Sequence, residues 1–440
     1  MRNLKIQQFK IFNKIKKIYR NFNGENFQPT FDTPIYFASY AGNSFGMLKI
    51  RKFIGKKDNF FYKLSIFLKE FISSVYLINN IKKYKLRNNA NKMIVTWAFK
   101  KNFHTDGSLN DKYLNYNSKK SQDILWFVIY MDNDLPNKVD KNIIVYKWFS
   151  KKKFNIFILI KIISLNLKFL LKDFYYFLFS ITSQNSFSYY LAKTIGNLIT
   201  QDIKQILILY EGQPFQNNLI REIKKRFNIK VIGYIHAPPL SFPINYVKKR
   251  FSPDKIFVNG KDQKKFFLQN GWSNKNINLC NSFRFLKGKH NLKSKIFLPI
   301  KFKSEEAILN SLDYMINKLN YNLKNFIIKA HPASEKLEKS ILLQKKIFIK
   351  IKKSKYKKNN FFNLPVFIGA SGGISEALER GYKVMHICEF PIIDFYSDKI
   401  WNSIKTKQLS PNLFLYEIKK KGNIIRFGNK PKSLDTFFRS

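Results

Sequence analysis

Cysteine, acid and long apolar runs are what this chain has least of. Two cysteines in 440 residues, Cys280 and Cys388, exclude a disulfide framework and a cysteine metal cluster, and they suit a reducing compartment. Both are expected to be small buried hydrophobes. Acidic residues number 28 against 80 basic ones, a formal charge of +52, which excludes an acidic, cation-collecting protein and points toward polyanions. Lys, Asn, Ile and Phe crowd every part of the chain alike, however, as an A/T-rich coding bias would make them, so charge alone names no partner. No window reaches the ~18 uncharged apolar residues that a spanning helix needs. What is present is a 45% hydrophobic composition, ample for two or three domains with cores of their own.

The stretch from Ile206 to His236 organises the rest. An apolar run to Leu209 breaks at Tyr210, Glu211 and Gly212. Pro214 then opens a segment with Phe215, Leu219, Ile220, Ile223 and Phe227 at helical spacing, and a second apolar run ends at His236. Strand, loop, helix and strand in that order predict a right-handed parallel unit, with Glu211 and His236 at the strand ends where open α/β sheets bind ligands. A carboxylate and an imidazole there suit proton transfer near neutral pH. The same spacing also suits a helix cap at Glu211 and a loop hydrogen bond at His236.

The N-terminal side is expected to be the less regular one. Leu4, Ile11, Ile15, Ile18 and Phe22 fall on one face of a basic helix, which either lies on an anionic membrane or packs on the protein. Thr33 to Tyr40 reads as a first strand, followed by a small-residue loop at Ala41, Gly42, Asn43 and Ser44. Strands follow at Met93 to Phe99 and Ile124 to Met131, with a polar loop at His104 to Gly107 between them. From Phe154 to Thr182 the apolar sequence carries Lys161, Lys168 and Lys172 on one stripe, again read as a packed or membrane-surface helix.

Beyond the central stretch the alternation continues through Asp254 to Val258, Lys261 to Gln269 and Ile277 to Cys280. Residues 287–295, KGKHNLKSK, are charged and patternless and read as a linker. A second doubly wound unit of about 130 residues spans 296–425, and 426–440 is a basic tail. In that unit the loop Gly369-Ala370-Ser371-Gly372-Gly373 lies between a strand and a helix, where small residues and free helix N–H groups can hold a phosphate. Ser371 or Ser375 can add a hydroxyl, and Glu376 can accept from ribose hydroxyls. A tight turn with a favourable N-terminal carboxylate would look the same. His331 closes a neighbouring strand, where it could meet a phosphate leaving group; Lys329 is expected to point away from it.

These residues carry a resemblance. Tyr210-Glu211-Gly212-Gln213-Pro214-Phe215, Gly233-Tyr234-Ile235-His236, Val258-Asn259-Gly260, Phe283-Arg284-Phe285, Ala330-His331-Pro332 and Ser371 to Ala377 together resemble the bacterial surface-carbohydrate (O-antigen type) biosynthesis proteins. More distantly they are similar to the bacterial sialyltransferases and polysialyltransferases, and Gly369 to Met385 resembles the ribose-binding helix of the peptidoglycan N-acetylglucosaminyltransferase. The resemblance implies an α/β, GT-B-like fold of two Rossmann-like domains facing a cleft, with helical additions in the N-terminal one (residues 31–286, the insertion near 150–200). It implies transfer of a sugar from a nucleotide-sugar donor to a lipid-linked or glycan acceptor such as a lipopolysaccharide precursor, with no metal and no cofactor. Glu211 would then be the base, with His236 as its rival, His331 the group at the leaving phosphate, and Ser371, Gly372, Gly373, Ser375 and Glu376 the donor site. Tyr210, Gly212, Gln213, Asn43 and Arg284 would line the acceptor side. Where the sialyltransferases have two acidic residues before the glycine this chain has Tyr210 and Glu211, which separates it from a CMP-sugar donor more than from the reaction class. A polyol-phosphate transferase or nucleotide-sugar epimerase would share the fold, and a basic membrane-surface or nucleic-acid binder is the non-enzymatic alternative, although no nucleic-acid-reading module is recognisable. The expected location is the cytoplasm or the inner face of its membrane.

Overall fold

The computed structural model describes residues 2–21, 59–61, 64–65, 68, 80–82, 90–132, 134–147, 160, 164, 167, 191, 194–199, 202–212, 214–288, 290–300, 302, 304–331, 334–335, 337–356 and 363–439. The expected strand at Thr33 to Tyr40 and the loop with Asn43 lie outside these residues, as do Gln213, Pro332 and almost all of Phe154 to Thr182.

The chain is α/β. After helix α1 (Arg2–Asn21) come β1 (Asn80–Lys82), β2 (Lys92–Ala98), the short hairpin β3 (Asn110–Asp111) and β4 (Tyr116–Asn117), β5 (Ile124–Tyr130) and β6 (Ile143–Lys147). Strand β7 (Gln205–Leu209), helix α2 (Pro214–Arg226), β8 (Lys230–Tyr234), β9 (Lys255–Val258), α3 (Lys261–Gln269), β10 (Ile277–Leu279) and β11 (Ser282–Leu286) follow. The first sheet is eight-stranded, in the order β1-β6-β5-β2-β7-β8-β9-β10. All its pairings are parallel except that of β1 with β6. Strand β5, ILWFVIY, is buried at every position, as a strand covered on both faces must be.

The second sheet is built from β12 (Lys295–Phe297), α4 (Glu305–Asn317), β13 (Ile327–Lys329), α5 (Glu338–Lys353), β14 (Val366–Ile368), α6 (Gly373–Glu379), β15 (Val384–Ile387), α7 (Pro391–Asp394), β16 (Ile404–Ser410) and β17 (Leu413–Ile418). Its order is β13-β12-β14-β15-β17-β16, parallel through β15 and closed by an antiparallel pair. Ser304 caps α4 by accepting from the Ala307 N–H, and Glu305 and Glu306 in its first turn favour the positive helix end.

Three long-range connections join the sheets. Residues 426–440 do not form a free tail: β18 (Phe427–Gly428) pairs with β11, and α8 (Asp435–Phe438) inserts Phe437 between Tyr234 and Phe257, at ring distances of 5.2 and 5.0 Å. Phe427, Phe437, Phe438 and Leu434, rather than the lysines, decide its place. Glu379, buried in α6, accepts the N–H groups of Gly422, Ile424 and Ile425, burial raises its pKa, and the segment it holds reaches α3 by accepting from the Asp262 N–H at 2.8 Å and the Gln263 amide at 3.2 Å. Helix α1 packs its apolar stripe inward: Ile11, Phe12 and Ile15 are buried, Phe12 lies edge-on to Phe242 and Phe266, and Phe266 stacks on Trp401. Lys5 pairs with Asp398 at 2.7 Å, and Gln8 donates to the Phe395 carbonyl. Burial of each large apolar side chain contributes about 1.5–3 kcal/mol, so this face serves the protein interior. Ile18 and Phe22, the rest of the stripe, lie outside the described side chains. No helix among the described residues is long and apolar enough to cross a membrane. Of the two cysteines Cys388 is buried, but Cys280 is only half-buried.

Candidate active site

The carboxyl ends of the parallel strands of the two sheets border one cleft of about 340 Å³. On the first wall stand Glu211, Ala237, Pro238 and Arg284; on the second, Lys329, His331, Ala370 to Gly373 and Glu376.

The first wall is built by the loop after β7. The Tyr210 N–H continues the ladder to the Tyr234 carbonyl at 2.8 Å, so the chain stays in register until Glu211. There Gln216 of α2 folds back, accepting from the Glu211 N–H at 2.9 Å and donating to the Leu209 carbonyl at 2.7 Å. Asn245 donates to the Glu211 carbonyl and the buried Lys249 ammonium to that of Gly212 at 3.3 Å. Gly212 has φ +68°, and a Cβ there would lie 2.1 Å from the Asn245 carbonyl oxygen, so both the backbone and the space demand glycine.

The Glu211 carboxylate is thereby aimed along the strand ends to His236, Oε1 to Nε2 3.0 Å. Glu211 is 9% exposed and borders the cleft; His236 is 2% exposed and stands behind it. Its buried Nδ1 has no hydrogen-bond partner among the described residues. An ionised carboxylate at Nε2 requires the proton on that nitrogen, so the imidazole props the carboxylate and leaves its other nitrogen orphaned, at a cost of about 1–3 kcal/mol. Tyr113 lies edge-on to the ring at 4.5 Å.

Tyr113 belongs to a turn that the sequence reading missed, having placed only the polar residues 104–107 in this loop. Asp111, buried, accepts from the Tyr113 and Leu114 N–H groups at 2.8 and 2.7 Å and from the Thr96 hydroxyl. Burial raises its pKa against these bonds and the charge of His236. Its spacing to the turn is that of an Asx turn, the one signal that could have exposed it. His104 to Gly107 instead form an outer turn tied to Asp140.

On the second wall His331 follows β13. Burial lowers its pKa, with the charges of Lys112 and Arg284 adding to the effect, so the imidazole is neutral near pH 7 and can donate one N–H. Lys329, Ala330 and His331 all border the cleft, so the strand end lines it as a continuous stretch. The Ser371 hydroxyl accepts from the Gly373 N–H at 3.2 Å. Behind the loop the buried His386 contacts the Gly369 carbonyl through Nε2 at 2.7 Å and the Tyr416 hydroxyl through Nδ1 at 3.0 Å. Tyr416 accepts from the Tyr396 N–H, so its own proton goes to Nδ1 and His386 donates to Gly369. A Cβ at Gly372 would lie 2.6 Å from Pro238, where the two walls meet. Glu376 takes two bonds from Arg380 on Oε1, at 3.0 and 2.8 Å.

Three expected site residues are elsewhere. Ser375 is buried and donates to the Pro239 carbonyl at 3.0 Å, because its place in α6 turns it to the floor of the cleft. Tyr210 is fully buried, its hydroxyl bonded to Asn217 at 3.0 Å, because a residue still in register with β8 points into the core. Gly212 shapes the loop without lining the cleft.

No protein-family model matches the chain, and comparison with curated protein sequences finds no match.

Proposed function

We propose that the chain is a glycosyltransferase of the two-Rossmann (GT-B) type, moving a sugar from a nucleotide-activated donor to a hydroxyl of a lipid-linked or surface-glycan precursor without a metal. The observation that carries the reading is the held carboxylate of Glu211 on one wall of a cleft whose other wall presents His331 and a glycine loop. In this reading Glu211 removes the proton from the acceptor hydroxyl, whose oxygen attacks the anomeric carbon as the bond to the donor phosphate breaks. The electron pair of that bond leaves on the phosphate, whose charge meets the His331 N–H and the N–H groups of Ser371 and Gly372. Glu376 accepts from the ribose. Among the described residues its ion pair with Arg380 uses Oε1 and leaves the second carboxylate oxygen for that role. His236, standing behind Glu211, orients it rather than acting as the base.

A thermal-shift series with nucleoside mono- and diphosphates, followed by donor hydrolysis with the responding nucleotide's sugars, tests the proposal. A nucleotide at ~100 times its dissociation constant adds about 2.7 kcal/mol. A protein that no nucleotide stabilises and that hydrolyses no nucleotide sugar would end this reading.

A further inference from the structure

The turn that carries Tyr113 is fastened to the strand that carries Arg284. Asn115, at φ +48°, donates from its amide to the carbonyls of Phe283 and Arg284, while Asp111 holds the other end of the turn. Lys112 and Arg284 thus share one aromatic ring: the Lys112 ammonium lies 4.9 Å and the Arg284 guanidinium 5.2 Å from the Tyr113 centroid. A second ring, Phe99, is 4.6 Å from the Lys112 ammonium. Neither cation has an ion-pair or hydrogen-bond partner among the described residues, and the nearby carboxylate of Asp111 is committed to Thr96 and to the turn's own N–H groups. In a chain with 80 basic and 28 acidic residues unpaired lysines are ordinary. A pair pinned by the buried Asp111 and the half-buried Asn115, on a ring that touches His236 beside Glu211, is not. Holding two like charges together costs Coulomb energy, which a bound anion would reverse. The charges also bear on His331 across the cleft.

We propose that Lys112 and Arg284, flanking Tyr113, form an oxyanion site on the wall of Glu211, so that the acceptor carries a phosphate-like group close to the hydroxyl that reacts. The assignment to the acceptor rests on the transfer reading; the site itself does not. A guanidinium offers two parallel donors to such a group, and the ammonium adds a point charge. The donor phosphate has its own partners on the opposite wall, so two anions would sit on either side of the reacting centre.

The test is titration calorimetry of inorganic phosphate, with and without the nucleotide that gives the largest thermal shift. The wild type should bind phosphate with the nucleotide present. Lys112→Met/Arg284→Met should weaken that binding about tenfold or more and leave nucleotide affinity unchanged. Lys112→Arg and Arg284→Lys, which keep the charges, should retain binding within a few fold and show that the fold tolerates change there. Lys352→Met/Lys353→Met, removing two exposed charges from α5, should have no effect. Equal weakening in that control pair would overturn the site. Displacement of phosphate by the nucleotide, with weaker nucleotide binding in the double variant, would assign the cations to the donor and overturn the acceptor assignment. Phosphate binding that depends on Lys112 and Arg284 in a protein that binds no nucleotide would keep the site and remove the transfer reading instead.

Discussion

On the first wall of the cleft Glu211 is held by other side chains: Gln216 takes its N–H, Asn245 its carbonyl, Lys249 the next carbonyl and His236 the carboxylate. The loop of the second wall is held from behind by the His386 imidazole on the Gly369 carbonyl and the Tyr396 hydroxyl on the Ser371 carbonyl, and its His331 follows an edge strand, β13, whose Ile327 and Lys329 are exposed. A sheet buried on both faces can hold a base to a fraction of an ångström, whereas an edge strand with few buried contacts opens at low cost. The wall assigned to proton transfer is the rigid one. The wall assigned to the donor, which must admit and release a nucleotide, is the yielding one.

The largest effect should come from removing the base while keeping the wall. Glu211→Gln preserves shape and hydrogen bonding, so turnover should fall by about 10²- to 10⁴-fold with nucleotide affinity unchanged. His331→Ala and Ser371→Ala should instead weaken nucleotide binding and transfer together, since they meet the phosphate in ground and transition states alike. Calorimetry beside single-turnover kinetics on the three variants separates the walls. Near-normal turnover in Glu211→Gln, with loss confined to His236→Ala, would exchange the roles of the pair.

Rigidity of the first sheet is open to a direct break. Phe127 in β5 is buried and packs on Tyr146, ring centroids 5.7 Å apart. Phe127→Ala should cost about 3–5 kcal/mol, read by urea denaturation through tryptophan fluorescence. A cost under 1 kcal/mol would show that this core repacks freely and would remove the contrast between the walls.

The second wall should be the pH-sensitive one. Burial lowers His386 from 6.5 to about 4, so between those values the unfolded chain takes up a proton that the folded chain refuses. Stability is therefore complete above pH 6.5, falls as the pH drops toward 4 and is level below it, a loss of about 3 kcal/mol from this group. His386→Gln can still donate to Gly369 but does not titrate. Its stability between pH 6.5 and 4 should fall by that much less than the wild type's, and equal slopes in the two proteins would refute the assignment.

How much of this could be read beforehand depends on sequence separation. The units β7-α2-β8, β9-α3 and β14-α6 are local, each with its own apolar run and turn residues, and they stand within a residue or two of their expected ends. The meeting of Glu211 and His236 was legible for the same reason, since parallel neighbouring strands put their ends side by side. Lys112, Tyr113 and Arg284 were not, because two hydrogen bonds from Asn115 to residues far along the chain bring them together. Helix α1 showed its stripe, but the stripe could not say whether lipid or Phe242 and Phe266 would cover it. The C-terminal segment was read by its lysines, while Leu434, Phe437 and Phe438 decide its place in the first core. Ser375 was misplaced because a serine two residues into a helix start can face either the ligand or the floor, and only the approach of Pro239 chooses.

The smallest effect tests the same contrast from its weak end. Ile327 opens β13 at the edge of the second sheet and is 54% exposed, and among the described residues its strand pairs on one side only, with β12. Truncation there removes little buried surface and leaves no cavity, so Ile327→Ala should change global stability by less than about 0.5 kcal/mol. The strand nevertheless leads to His331, and a looser edge raises the fraction of molecules in which that imidazole is out of place. Amide exchange in β13 should therefore quicken in the variant while exchange in β5 stays at the global rate, and nucleotide affinity should fall by no more than a few fold. If the variant instead destabilised the whole protein as Phe127→Ala does, β13 would belong to the rigid framework, and the division between a fixed and a yielding wall would have to be given up.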